Sequence, residues 1–175
     1  MADRLSLHLN SWVASGYARP ATRQILAAGL RGALAVSLVG AMGLLSGSAL
    51  LMAPLGATAV LLFALPDSPL SAPRHVVGGH ALSMFIGVLC LFLVSLTTDG
   101  LGAGSAILGA GLGTGAAIAL MQATRTVHPP AGANPMLLIF SGLGLPDATL
   151  LIALPGVFGA VLLYLVAALL RRAVA

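Results

Sequence analysis

The sequence predicts an all-α membrane protein, a polytopic helical bundle, from three observations. Of its 175 residues, 59% are hydrophobic and only 7% are charged, whereas an ordinary soluble domain carries about 25% charged residues. Four apolar runs are long enough to cross a bilayer as helices of ~20 residues. All the arginines but Arg31 stand outside the apolar runs, and they do not form a continuous stripe. We therefore expect one domain with the lipid bilayer as its solvent and no nucleic-acid partner.

The apolar runs follow a polar N-terminal segment. Residues 1–23 contain Trp12 and Tyr17, and we expect this segment to lie at the cytoplasmic membrane surface. The runs cover about 24–46, 48–65, 76–96, 101–123, 129–143 and 149–170. Two of them contain short helices that begin at prolines, Pro54 and Pro130, because proline fits the first helical turn. About a dozen helical residues span ~18 Å, which is less than the ~30 Å hydrocarbon core.

The two halves of the chain share one order of motifs. P-L-G-A-T-A-V-L-L at 54–62 corresponds to P-A-G-A-N-P-M-L-L at 130–138, and L-P-D-S-P-L at 65–70 corresponds to L-P-D-A-T-L at 145–150. In each half, the order of motifs predicts a long segment, a short helix, an L-P-D turn and another long segment. We predict a single transmembrane domain at 24–172 built as a duplication, with repeat one at about 24–97 and repeat two at about 99–172.

The arginines predict the orientation. With a cytoplasmic N-terminus and six crossings, Asp99 and Asp147 lie outside, and both termini lie in the cytoplasm of a bacterial inner membrane. The arginines on the cytoplasmic side are Arg19, Arg23, Arg74, Arg125, Arg171 and Arg172. Three crossings per repeat make the second repeat inverted. In the alternative topology the two short segments re-enter and leave four full spans, which fits the arginines less well.

Opposed short helices predict an anion site. Helix N-termini that meet within the membrane are a recurrent arrangement in transporters, and their N–H groups attract anions. Gly56 and Gly132 would let a ligand approach the backbone, and Thr58 and Asn134 would add side-chain donors. We expect a side chain at either glycine to crowd these donors. The alternative is that the prolines and glycines only shape helix entry and packing.

The segment T-R-T-V-H-P-P-A-G-A at 124–133 is the densest polar cluster. Arg125 could attract an anion to the cytoplasmic mouth, or it could anchor the interface by snorkelling. His128 could donate to an anion, titrate near neutral pH or only cap the short helix.

The connector at 66–75 is too polar for the membrane core. Asp67 could pair with Arg74, although a solvated turn is the simpler expectation. His80 lies five residues into the next helix, where polar side chains usually face the protein interior.

We predict substrate-binding residues at both short helices and beside them. They are Pro54, Gly56, Ala57, Thr58, Arg125, His128, Pro129, Pro130, Gly132, Ala133 and Asn134. Secondary candidates are Arg74, His75 and His80. We expect no catalytic residue, metal or cofactor, because the sequence has one cysteine, no glutamate, no nucleotide-binding loop and no hydrolase elbow.

Three stretches resemble the HPP family of integral membrane proteins. They are G-A-T-A-V-L-L-F-A at 56–64, P-D-S-P-L-S-A-P-R-H-V-V-G-G-H at 66–80, and the 124–133 segment with His128-Pro129-Pro130. The resemblance covers roughly 24–170. Plant plastid and cyanobacterial members are associated with nitrite transport, so the resemblance implies nitrite here. The chain differs from the common family pattern at His75, where asparagine is usual, and at Asn134-Pro135, where threonine is more frequent.

The sequence as a whole predicts a transporter or channel for a small monovalent anion. Nitrite is the first candidate, and nitrate, formate and chloride stay open. The spans contain no carboxylate for coupling, which favours a channel or uniporter. The alternative is a non-transporting membrane protein that serves assembly or sensing. Small-residue helix faces, such as Gly109 and Gly113, predict a homo-oligomer, most simply a dimer.

Overall fold

The computed structural model describes residues 20–47, 52–97 and 102–172. Within these ranges every regular element is a helix or a helical turn. The elements are α1 (Thr22–Ser46), α2 (Ala53–Ala64), a 3-10 turn (Pro69–Ser71), α3 (Pro73–Ser95), α4 (Ala103–Ala123), a 3-10 segment (Pro129–Ala133), α5 (Asn134–Ile139), α6 (Leu145–Ala148), a π-turn (Thr149–Ala153) and α7 (Leu154–Arg172). The predictions for residues 1–19 and for Asp99 lie outside the described residues.

Four helices in the described ranges are long and apolar enough to cross a membrane. They are Thr22–Leu45, Pro73–Ser95, Ala103–Ala123 and the continuous helical stretch Leu145–Arg172. The predicted all-α polytopic membrane fold is therefore confirmed. Helix α2 has 12 residues and is too short to span the hydrocarbon core as a straight helix.

Prolines determine the form of the two short segments. Pro54 stands in the first turn of α2, where its missing N–H costs nothing. The predicted second short helix is divided: the chain makes a 3-10 segment first, and α5 starts only at Asn134. Pro135 explains the division, because it cannot donate to the carbonyl four residues earlier and its ring would collide with that carbonyl in an α-helix.

The two L-P-D motifs fold differently. The first forms a turn followed by the 3-10 turn, because Pro69 and Pro73 prevent a continuous α-helix. The predicted second turn is wrong, since Leu145 begins α6 and the helix continues to Arg172. Pro146 falls in the first turn of this helix, where a proline does not interrupt the helical hydrogen bonds. Pro155 lies deeper, and the π-turn directly before it accommodates the missing N–H.

The long and short helices pack in two corresponding sets. Helix α2 packs against α1 and α7, and α5 packs against α4 and α3. In addition, α1 packs against α7, α4 against α3, and α3 against α7. If α1, α2 and α3 are exchanged with α4, α5 and α7 in that order, every packed pair becomes a pair of the same set. Such packing is expected of a duplicated unit, while the inversion of the second repeat stays a prediction.

Each set has its own apolar core. The core of α1, α2 and α7 contains Leu55, Leu62 and Leu163, and the core of α3, α4 and α5 contains Met84 and Leu138. The polar residues described below lie where elements of the two sets meet.

The small residues of α4 are used within the chain. A Cβ at Gly109 would collide with Val94, and a Cβ at Gly113 would lie 3.0 Å from Pro135. These glycines therefore let α3 and α5 approach α4 closely, and they are not an open face for a second copy. The predicted homo-oligomer stays a prediction, without support from this pair.

Candidate functional site

A fully buried polar cluster connects the two short segments. Its members are Thr58 on α2, His80 and Ser83 on α3, His128 directly before the 3-10 segment, and Asn134 at the start of α5. All five side chains are 0% exposed. We call this set the histidine cluster. The sequence predicted four of its members and missed Ser83, which lies three residues after His80 and so on the same helix face.

The Thr58 hydroxyl is the centre of the cluster. Its Oγ1 lies 2.9 Å from His80 Nε2 and 2.9 Å from His128 Nε2. The same oxygen lies 3.0 Å from the Pro54 carbonyl oxygen, which can only accept a hydrogen bond. One hydroxyl thus links both imidazole rings to the first turn of α2.

Asn134 contacts the other side of His80. Its Nδ2 lies 3.0 Å from His80 Nδ1 and donates to Ser83 Oγ at 2.7 Å, and Ser83 Oγ donates to the His80 carbonyl at 3.2 Å. Asn134 Oδ1 is buried and has no hydrogen-bond partner. Thr58 and Asn134 occupy corresponding positions in the two sequence motifs, so His80 joins equivalent residues of the two halves.

His128 connects the cluster to the polar connector. Its Nδ1 donates to the Leu70 carbonyl at 3.0 Å, and its ring centroid lies 5.2 Å from that of His80. Burial lowers the pKa of His128; the hydrogen bond to Leu70 opposes that shift, and the charge of His75 adds to it. The ring therefore favours its neutral form more strongly than an exposed histidine does.

Gly79 provides the space that His128 occupies. A Cβ at Gly79 would lie 2.6 Å from His128 Cβ and 3.0 Å from the Thr126 carbonyl oxygen. Neither atom can move easily, because the Cβ is bonded directly to the backbone and the carbonyl oxygen is part of the backbone. The short distance between Thr58 and His128 thus depends on a glycine in α3.

The other predicted residues of the first short helix surround the cluster without joining it. Pro54 is buried, whereas Gly56 and Ala57 are exposed. A Cβ at Gly56 would meet no atom within 4 Å. The N–H groups of Leu55 and Gly56 both donate to the Met52 carbonyl, and Pro54 has no N–H. Two backbone N–H groups of this helix start are therefore bonded within the first turn, and the helix contributes the Thr58 hydroxyl to the cluster.

The second short segment is less exposed around its glycine. Pro129 is exposed, while Pro130, Gly132 and Ala133 are partly buried. A Cβ at Gly132 would also meet no atom within 4 Å. Packing within the chain does not require a glycine at either position.

Two of the three secondary candidates, Arg74 and His75, hold the segment before His128 in place. The Arg74 guanidinium donates to the Thr124 carbonyl at 2.6 Å, and His75 Nδ1 donates to the Val127 carbonyl at 2.8 Å. Within the described ranges, the suggested Asp67–Arg74 ion pair does not form.

Arg125 is exposed and has a φ of 56°. It directly follows Thr124, whose carbonyl the Arg74 guanidinium contacts. The Arg125 backbone therefore lies beside that guanidinium, where the connector meets the segment before His128.

The fold and this cluster can now be compared with known proteins. The family profile described as HPP, transmembrane region, matches residues 17–175. The chain belongs to the HPP transmembrane family. This confirms the resemblance that the three motifs predicted, and the H-P-P triplet of the family name begins at His128 in the histidine cluster.

Curated relatives match part of the chain. Two transmembrane proteins of Dictyostelium discoideum are 33% identical over 89 residues and 32% identical over 91 residues. These matches cover 51% and 52% of this chain, and 30% and 28% of the relatives. The chain therefore matches less than a third of the length of either relative. No solved structure matches.

Among the described residues, no group of three or more His, Cys, Asp or Glu side chains is placed to hold a metal ion. The possible ligands of the histidine cluster are two imidazoles without a carboxylate. Its chemistry is that of hydrogen-bond donors and a titratable ring.

Proposed function

We propose that this HPP-family protein moves a small monovalent anion across the membrane, with the histidine cluster as its binding site. The observation that carries the proposal is the convergence of Thr58 and Asn134, from corresponding short segments, on His80 and His128. A polar site at the junction of two related halves is a common position for a transported substrate.

The charges of the surroundings favour an anion. The cluster contains no carboxylate, and its donors are imidazole N–H groups, two hydroxyls and an amide. Arg74 contacts the Thr124 carbonyl and Arg125 follows that residue, so both arginines stand at the segment that leads to His128. Positive charge at this place raises the local anion concentration. A buried cation would instead need acidic ligands, which these side chains do not supply.

Nitrite is the first candidate, because it is the substrate associated with the family in plastids and cyanobacteria. The donor set does not select nitrite over nitrate, formate or chloride. Transport is preferred to catalysis because the cluster holds no carboxylate that could orient either histidine for proton transfer.

A structural role is the alternative. The cluster satisfies most of its own hydrogen bonds, which also suits a buried network that fixes the packing of α2, α3 and α5. In that case the protein serves membrane assembly or sensing, and its polar core does not release or admit an ion.

Anion flux into proteoliposomes tests the proposal. We expect uptake of nitrite or another small anion by the wild type, and a loss of at least ten-fold in Thr58→Val. The matched control is Thr149→Val, because Thr149 Oγ1 bonds only the Leu145 carbonyl one turn earlier, as Thr58 Oγ1 bonds Pro54. Equal flux for the two variants contradicts the site, and absence of flux for all four anions in the wild type contradicts transport.

A further inference from the structure

The hydrogens available in the histidine cluster can be counted. The Thr58 hydroxyl has one hydrogen and faces three groups, the Pro54 carbonyl and the Nε2 atoms of His80 and His128. The carbonyl can only accept, so a bond to Pro54 uses that hydrogen. Both histidines must then donate from Nε2 to the hydroxyl oxygen, which has two lone pairs.

His80 can donate while it stays neutral. With the Asn134 amide placed as described, Nδ2 donates to His80 Nδ1 at 3.0 Å. This leaves the hydrogen of the neutral ring on Nε2, directed at Thr58. His80 thus satisfies both of its contacts without an additional proton.

His128 cannot do the same. Its Nδ1 faces the Leu70 carbonyl, so that nitrogen must carry a hydrogen. A neutral ring then has no hydrogen on Nε2, and the Thr58 hydroxyl must turn from Pro54 to His128. All the contacts of the cluster form together only when His128 is an imidazolium.

A buried imidazolium at this position lacks a counter-ion. Helix α2 contributes no titratable group, and α3 contributes Arg74, His75, His80 and, further along the helix, Cys90. The connector contributes the exposed Asp67, and the turn before His128 contributes the exposed Arg125. Within the described residues, no carboxylate contacts the ring. A charge held away from water without a partner is costly, so protonation of His128 requires an anion in the cluster.

We infer that the histidine cluster binds a proton at His128 Nε2 together with the monovalent anion, so that the two cross the membrane as an uncharged pair. This inference rests on the proposed function and adds the proton as a co-transported species. It differs from the channel or uniporter that the absence of a mid-span carboxylate suggested.

The proton and the hydroxyl move in a balanced cycle. A proton from one aqueous side bonds to the Nε2 lone pair, and Thr58 turns its hydrogen to Pro54. When the anion leaves on the other side, the proton leaves with it, and Thr58 turns back to His128. No bond other than N–H and its hydrogen bonds is made or broken.

Two further observations support this assignment. Asn134 Oδ1 is a buried acceptor without a donor, which suits the O–H of a protonated acid or of a water that accompanies the anion. In addition, burial lowers the pKa of His128. The empty site is therefore mainly neutral at pH 7, and binding of an anion raises the pKa of the ring and draws a proton from solution.

The test uses the full-length protein in liposomes that contain a pH-sensitive dye, with sodium nitrite as the probe and protein-free liposomes as the blank. In the wild type we expect internal acidification of about one proton per nitrite taken up. We also expect accumulation to change less than two-fold when a potential of 100 mV, negative inside, is imposed. A lone anion would instead accumulate roughly fifty-fold less at that potential.

Two variants complete the test. His128→Gln should lose the proton movement, and any remaining nitrite uptake should become sensitive to the potential. Thr149→Val should keep both properties, because Thr149 lies outside the cluster and bonds only the Leu145 carbonyl. The potential test on the wild type stands by itself if His128→Gln does not fold.

The outcomes separate this inference from the proposed function. Nitrite uptake with co-moving protons and little response to the potential supports the inference. Uptake without protons, suppressed by the potential, overturns the inference and leaves anion transport standing. Absence of uptake of nitrite, nitrate, formate and chloride overturns both.

Discussion

The two short segments of this protein begin alike and differ in chemistry. Met52 is the N-cap of α2, and His128 stands at the corresponding position before the 3-10 segment; both have extended backbones. Each lies against a glycine of a long helix, Gly156 of α7 for Met52 and Gly79 of α3 for His128. The same construction thus holds a thioether in one half and an imidazole in the other.

The difference extends to the long helices. His80 of α3 contacts Thr58 and Asn134, whereas the residue 80 positions later, at the spacing of the two L-P-D motifs, is the buried Ala160 of α7. Each half therefore supplies one histidine of the cluster, and the position compared with it in the other half carries an apolar side chain. Under the predicted duplication, substitutions at a few corresponding positions decide which side chain each half contributes to the cluster.

The largest expected effect concerns the membrane topology of the two halves, because it is all-or-none. Asp67 and Asp147 are exposed members of the two L-P-D motifs. Six crossings place them on opposite faces, and re-entrant short segments place them on the same face. Single cysteines at 67 and 147, in a Cys90→Ala background, should be labelled by an impermeant reagent from opposite sides. Labelling from one side would establish the four-span topology instead.

The next largest effect is expected from substitutions of the two N-cap residues, His128 and Met52. His128→Leu should reduce anion flux at least ten- to hundred-fold, because loss of one charge-assisted hydrogen bond costs ~1.5–3 kcal/mol. Met52→Leu should change flux less than two-fold, since it replaces one flexible apolar side chain with another. Flux per folded protein, with the folded fraction measured by gel filtration, checks the pair. Similar losses in both variants contradict the proposed difference between the two N-cap positions.

A smaller effect compares the two glycines. At Gly79 an added methyl meets His128 Cβ and a backbone oxygen, whereas at Gly156 it meets the flexible ends of Met52 and Met84. We expect Gly79→Ala to destabilise the fold by about 1–3 kcal/mol and Gly156→Ala by less. Thermal unfolding in one detergent measures the difference. Gly115→Ala is the control, because a Cβ there meets no atom within 4 Å.

The Arg125 effect should be several-fold and dependent on salt. Arg125→Gln removes an exposed charge near the segment that leads to His128. It should raise the half-saturating anion concentration at low ionic strength and have little effect above ~0.5 M salt, where the Debye length is a few ångströms. Arg125→Lys should behave like the wild type. A defect in Arg125→Gln that persists at high salt would indicate a local structural role.

The smallest effect is expected at Gly56 and Gly132. Since a Cβ at either position meets open space, Gly56→Ala and Gly132→Ala should leave the melting temperature unchanged or slightly higher, as alanine favours helices by up to ~1 kcal/mol. Flux should fall by two-fold at most, because the donors of the cluster are side chains. A large loss of flux at normal stability would indicate that backbone N–H groups contribute to the binding site.

Local sequence patterns predicted much of the fold. Long apolar runs predicted the spans, because a bilayer rewards any uninterrupted apolar helix. Pro54 and Pro130 predicted where the short segments begin. The prediction of a turn at the second L-P-D motif was wrong. The first motif forms a turn because Pro69 and Pro73 follow it closely. The second motif starts a helix at Leu145, because the next proline after the motif, Pro155, lies more than two turns further on. The division of the second short segment could have been inferred from Pro135.

By itself, the sequence determined the membrane class, the family and four of the five cluster residues, because each of these depends on composition or on neighbouring residues in the chain. Only the tertiary structure decided that His80 joins Thr58 and Asn134, that Ser83 belongs with them, and that Gly56 and Gly132 face open space. These contacts join residues that are 22 to 70 positions apart. They depend on how closely α2, α3 and α5 approach one another, which is fixed by side-chain volumes summed over many long-range contacts and by no single local pattern.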